Sequence, residues 1–102
     1  MGLPSEIVRL HHGMYYTYVL YSKKDTKLYF GYTSNLTQRF EQHARGAVES
    51  TRSRRPLVLI YYEACIHKED ALHREKYFKS YRGRQFITKR LKSYFTGLQP
   101  KI

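Results

Sequence analysis

Two runs of aromatic and β-branched residues, separated by a short polar break, constrain the fold more than any other feature of the chain. Residues 14–22 (MYYTYVLYS) and 27–33 (KLYFGYT) carry strand-forming side chains, and Lys23, Lys24, Asp25 and Thr26 between them make a polar turn. Together they predict an antiparallel hairpin. If Ser22 pairs with Lys27, Tyr18 falls opposite Gly31, and Tyr29 becomes its diagonal neighbour on the same face. Two phenol hydroxyls then flank a residue without a side chain, which leaves room for a phosphate to approach the backbone. The same spacing also suits an aromatic ladder that does nothing but stabilise a sheet.

Beyond the hairpin, Ser34 or Asn35 caps a helix, with Gln38 placed as a capping-box partner. Leu36, Phe40 and Ala44 form its apolar stripe and Gly46 ends it. Residues 46–56 read as a loop closed by Pro56. Residues 57–65 (LVLIYYEAC) read as a third strand, whose unbroken apolar start predicts burial on both faces. A second helix is expected over 68–81, broken by Gly83. A third is expected over 84–95, with Phe86, Ile87, Leu91, Tyr94 and Phe95 on its apolar side. The order ββαβαα predicts an α/β (α+β) domain: a small three-stranded antiparallel or mixed sheet flanked by helices. Residues 1–13, with Pro4, Gly13 and the His11-His12 pair, read as a leader, 14–95 as the domain, and 96–102 as a tail.

Charge narrows the function classes. Nineteen Lys and Arg against eight Asp and Glu give a net charge of +11, an excess that favours a polyanion because each neutralised phosphate releases counterions. Eleven tyrosines interleaved with arginines suit backbone contact and base stacking, whereas a membrane-surface segment needs a concentrated basic amphipathic helix. Nucleic acid is therefore the expected partner. No apolar stretch approaches the ~20 residues of a membrane helix. The first residues have neither the basic nor the apolar part of a secretory signal. Glu6 stands where a myristoylation motif needs Ser or Thr. The single Cys65 has no partner for an internal disulfide, and a reduced, cytoplasmic setting is expected.

Three positions carry candidate chemistry. Arg39 and His43 lie four apart and share a helix face. A guanidinium there can grip a phosphate bidentately and an imidazole can relay a proton, although a solvated face has the same spacing. Glu75 falls within the arc of Ala71, Leu72 and Phe78, where a carboxylate is costly unless it is paired or binds a metal. Arg74 or Lys79 could neutralise it instead. No His-Glu-x-x-His or similar spacing marks a histidine metal site.

In their order along the chain, these positions resemble the GIY-YIG nuclease family. Tyr16-Thr17-Tyr18 stands where the family has Gly-Ile-Tyr, and Tyr29-Phe30-Gly31 stands for Tyr-Ile-Gly. Arg39 matches the family's catalytic arginine, His43 a histidine seen in several branches, and Glu75 the metal-binding glutamate. The likeness spans about residues 14–95 and is greatest to short bacterial members made of this domain alone. Tyr16 replaces the first glycine. Tyr32 stands where the nucleotide-excision-repair members carry a lysine. Their late asparagine has no counterpart, since Asn35 is the only Asn.

The resemblance implies a divalent-metal-dependent endonuclease that hydrolyses DNA phosphodiester bonds with one Mg²⁺ or Mn²⁺ ion held by Glu75. It also implies Tyr18, Tyr29, Arg39, His43 and Glu75 as the catalytic set. A single carboxylate agrees with one ion completed by waters and substrate oxygens, whereas a two-metal site would need a cluster of acids. Tyr32, Arg52, Arg54, Arg55, Arg82 and Arg84 are the expected nucleic-acid contacts. The alternative is a catalytically weak or inactive nucleic-acid-binding module using the same basic surface.

Overall fold

The computed structural model describes residues 13–98, and within it the hairpin closes in the expected register. Strands β1 (Tyr15–Ser22) and β2 (Leu28–Thr33) run antiparallel with Tyr18 opposite Gly31. The Ser22 amide donates to the Lys27 carbonyl at 3.0 Å. Ser22 also organises the turn, its Oγ accepting from the amides of Lys24 and Asp25 at 3.2 and 3.1 Å. Thr26 closes it with φ of 61°.

Strand β3 (Leu57–Cys65) pairs antiparallel with the other side of β1, so the order is β2-β1-β3 and the whole sheet is antiparallel. This corrects the expectation for 57–65. β3 is an edge strand and none of its residues is fully buried, whereas Thr17, Tyr18, Val19 and Leu20 at the centre of β1 are. An apolar run marks a strand but not its place in a sheet. Centrality fell to the Tyr-rich β1, which pairs on both edges, and helices on both of its faces bury it.

The described residues form five helices: α1 (Leu36–Ala44), α2 (Glu49–Arg52), α3 (Lys68–Phe78), α4 (Tyr81–Arg90) and α5 (Lys92–Gly97). The observed order is ββααβααα. Asn35 caps α1 by accepting from the Gln38 amide at 3.1 Å, and Gly46 ends it with φ of 81°. Its fully buried residue is His43, not a member of the Leu36–Phe40–Ala44 stripe. The expected loop over 46–56 contains α2, anchored by buried Val48 and Thr51.

Gly83 does not break a helix; it sits in the first turn of α4. A Cβ there would stand 1.9 Å from the Tyr77 carbonyl oxygen, so only glycine lets α4 pack this closely on the end of α3. Ser80 caps α4, its Oγ accepting from the Gly83 amide at 3.1 Å, which ends α3 at Phe78 rather than at 81. Leu91 separates α4 from α5, so the helix expected over 84–95 is two.

The two faces of the sheet divide the labour. On one, Val19 and Phe30 pack with Phe78 of α3 and Ile87 of α4, flanked by Leu28, Ile60, Tyr61, Phe86, Leu91 and Phe95. Arg74 lies over the rings of Phe78 and Phe86, 4.8 Å from each centroid, and makes two 2.9 Å bonds to Glu63. On the other face, α1 and α2 bring His43 and Thr51 to Tyr18. No helix among the described residues is long and apolar enough to cross a membrane. Of the expected flanking segments, residues 1–12 and 99–102 lie outside the described residues, and α5 runs to Gly97, past the expected domain edge at 95.

Candidate active site

The alternation of β1 turns Tyr18 towards α1, and the missing side chain at Gly31 makes room for its ring. A Cβ at Gly31 would meet Tyr18 Cζ and Oη at 2.3 Å. The space expected to admit a phosphate is thus filled by the Tyr18 phenol itself. That ring is 1% exposed, with its hydroxyl 2.8 Å from His43 Nε2. His43 Nδ1 in turn lies 2.7 Å from Thr51 Oγ1, and both residues are fully buried. A closed chain, Tyr18–His43–Thr51, results.

Burial sets the protonation of that chain. Desolvation raises the Tyr18 phenol above its ordinary value, and nearby Tyr29 and Glu75 push it the same way, against the pull of Arg39. Desolvation, assisted by the Arg39 guanidinium, lowers His43 to about 4. His43 is therefore neutral at neutral pH, with one N–H donor and one acceptor nitrogen. The chain runs either from Tyr18 to Thr51 or from Thr51 to Tyr18, and each nitrogen and oxygen in it has a hydrogen-bond partner.

Arg39, one helical turn before His43, is partly buried and donates from Nη1 to Gln42 Oε1 at 3.1 Å. Tyr29 borders the same imidazole, its ring centroid 5.2 Å from that of His43 and 6.4 Å from that of Tyr18. Glu75 comes from α3, which packs against all three strands, and its carboxylate acts on the Tyr18 hydroxyl. Of its expected neutralising partners, Arg74 is committed to Glu63, and Lys79 stands off at 3.9 Å. The Glu75 side chain is 23% exposed, and no hydrogen bond occupies its oxygens among the described residues. A hard oxygen donor with free lone pairs fits a divalent cation. Among the described residues no group of three or more His, Cys, Asp or Glu gathers to hold one, so waters and substrate oxygens would complete the shell. Tyr18, Tyr29 and His43 thus come together from β1, β2 and α1, with Arg39 bearing on the Tyr18 phenol, while Glu75 of α3 is felt at that hydroxyl only through its charge. Thr51 is the partner that sequence reasoning missed. Its only signal was indirect: a buried histidine needs a partner for each ring nitrogen, and the following segment supplies a hydroxyl.

The expected nucleic-acid contacts divide. Tyr32 stacks on Tyr15 at 6.2 Å, on the sheet face opposite Tyr18, so it brings no hydroxyl to the phenol pair. Arg54 is occupied structurally, bonded to the Asp25 carboxylate at 2.6 Å and to the Leu28 carbonyl at 3.3 Å. That contact, with the Lys27 amide, holds Asp25 down at about 2. Arg52 and Arg55 each give one bond to a nearby carbonyl yet remain exposed, and Arg82 and Arg84 are exposed on α4.

The GIY-YIG catalytic domain matches residues 14–86, the span that holds every member of this constellation. The chain belongs to the GIY-YIG family. Its family is one of nuclease-type hydrolases that act on DNA and generally use divalent metals. Bacterial relatives include a UPF0213 protein of Pediococcus pentosaceus, 44% identical over 66 residues, covering 64% of this chain and 68% of the relative. Another, from Limosilactobacillus reuteri, is 45% identical over 74 residues, covering 70% and 76%. A solved structure that resembles this GIY-YIG chain is the solution NMR structure of a UPF0213 protein from Bacillus halodurans. It has 33% identity and a TM-score of 0.48, and the match covers 74% of this chain and 83% of that one.

Proposed function

We propose that the protein is a divalent-metal-dependent endonuclease that hydrolyses DNA phosphodiester bonds, with Mg²⁺ or Mn²⁺ bound at Glu75. The observation that carries this reading is electrostatic. A buried phenol hydroxyl feels a guanidinium (Arg39), a carboxylate (Glu75) and a second phenol (Tyr29) delivered by separate elements, and it is hydrogen-bonded to a neutral imidazole. A chain that merely stabilised a sheet would not gather opposite charges around one hydroxyl beside a glycine whose missing Cβ makes room for that ring.

Arg39 offers a planar fork to the non-bridging oxygens of the scissile phosphate and stabilises the charge that develops there. Tyr29, partly exposed, would meet the attacking water, with the buried Tyr18 ring 6.4 Å away. At rest the proton stays on Tyr18, because burial drives the phenol up and the imidazole down. Positive charge at this face lowers the phenol, and Arg39 already pulls in that direction. A cation at Glu75 would supply Lewis acidity and ease departure of the leaving oxygen. Arg52, Arg55, Arg82 and Arg84 would contact the DNA backbone; Arg54 is left out because Asp25 holds it. The proposed setting is the cytoplasm, in keeping with the free thiol at Cys65.

Glu75→Gln tests this reading. The variant should fold, melt no lower than the parent without metal, bind DNA, and fail to cut at any Mg²⁺ or Mn²⁺ concentration. Metal-dependent cleavage by a well-folded Glu75→Gln protein would remove Glu75 from the chemistry. DNA binding by a parent that never cuts would favour the inactive binding module.

A further inference from the structure

Where the β1–β2 turn and β2 meet the junction of α3 and α4, a cleft of about 410 Å³ opens, lined by Thr26, Lys27, Leu28, Phe30, Lys79 and Arg84. Its walls carry three cations and no carboxylate. Lys27 and Arg84 have no ion-pair partner among the described residues, and Lys79 has only the distant 3.9 Å contact with Glu75. Leu28 and Phe30 give the floor a low dielectric, which concentrates the field of the three charges instead of dissipating it in water. Converging cations repel one another, and an anion that enters relieves that repulsion. The cleft also adjoins the catalytic constellation through Lys79, which lines it and stands 3.9 Å from Glu75.

We infer that this cleft is a phosphate-binding subsite that holds the DNA backbone on one side of the scissile bond. The strand then runs from Arg39 and Glu75 past the edge of β2 to the start of α4. This rests on the nuclease reading for the word "scissile", but the cleft's hold on DNA stands apart from cleavage. Within the expected set of contacts it assigns Arg84 a defined place. It also adds Lys27 and Lys79, which were not among the expected nucleic-acid contacts.

The experiment measures DNA affinity in the Glu75→Gln background by anisotropy, with fluorescein-labelled single-stranded and duplex oligonucleotides across a salt series. Lys27→Ser, Lys79→Ser and Arg84→Ser are combined in one protein. A charge-matched control combines Lys68→Ser, Lys76→Ser and Lys92→Ser. Each lost phosphate contact flattens the plot of log affinity against log salt by about 0.7 for single strands and 0.9 for duplex. The cleft variant should therefore lose about two units or more of slope and bind at least ~10-fold more weakly at ~0.1 M salt. The control should lose about one unit or less. Because Lys79 neighbours Glu75, Lys27→Ser with Arg84→Ser is also measured alone, and it should retain most of the effect. With Glu75 intact, that double variant should raise KM and leave kcat nearly unchanged. A cleft variant that matches the control overturns the subsite, as does a fall in kcat at constant KM. So does a cleft that binds inorganic phosphate tightly at constant ionic strength while DNA affinity ignores the substitutions. A slope difference in a parent that never cuts leaves the DNA subsite standing and removes the nuclease reading instead.

Discussion

His43 is held neutral by the same burial that engages both of its ring nitrogens, one with Tyr18 and one with Thr51. Its folded pKa of about 4 lies below the ordinary 6.5. Between those values the unfolded chain binds a proton that the folded one refuses, so stability is complete above pH 6.5 and falls as the pH drops towards 4. From pH 7 to pH 5 the loss should be about 2 kcal/mol. Asp25, held at about 2, adds its own loss only below its ordinary 3.8. Urea midpoints at the two pH values check this, with His43→Asn as the comparison that should abolish most of the difference. A parent equally stable at pH 7 and pH 5 would contradict a buried neutral imidazole.

Between elements, α4 packs directly on the end of α3. Gly83 permits it, since a Cβ there would meet the Tyr77 carbonyl oxygen at 1.9 Å and Phe78 Cα at 2.6 Å, backbone atoms that cannot swing aside. Gly83→Ala should therefore force the two helices apart and cost on the order of 3 kcal/mol. Gly97, with nothing within 4 Å of its added Cβ, provides the contrast. Gly97→Ala should be neutral or mildly stabilising, because alanine is the better helix former. Thermal melts of the two variants decide the matter, and an unchanged melting temperature for Gly83→Ala would show that the helices repack freely. Because α3 carries Glu75, the Gly83→Ala protein should also cut DNA more slowly than its residual stability alone accounts for.

For the molecule as a whole, folding and metal binding should be separable. The core of Val19, Phe30, Phe78 and Ile87 closes without any metal ligand, and the proposed ion has one protein carboxylate. In excess EDTA the melting temperature should stay within a degree or two, DNA should still bind, and cleavage should stop. A net charge of +11 makes that metal-free binding steeply salt-dependent. A collapse of the fold in EDTA would mean that the metal is structural.

The hairpin, its register and the pairing of Tyr18 with Gly31 were legible in the chain because they are local: alternation and turn length fix which residues face each other. The face shared by Arg39 and His43 was legible for the same reason, four residues being about one helical turn. The order of chemistry-bearing residues along 14–86 pointed to the family before any of them was brought together. What the chain could not reveal depends on contacts between distant segments. An apolar run does not say whether its strand lies at the centre or the edge, so β3 was misplaced. A glycine does not say whether it ends a helix or lets another one close in, so Gly83 was misread. Thr51 carried no pattern at all; only the folding of α2 against α1 sets its hydroxyl 2.7 Å from His43. Arg54 and Arg84 look equivalent as arginines. Tertiary structure alone ties the first to Asp25 and leaves the second lining an unneutralised cleft, because charge becomes available for binding only where folding provides no counterion.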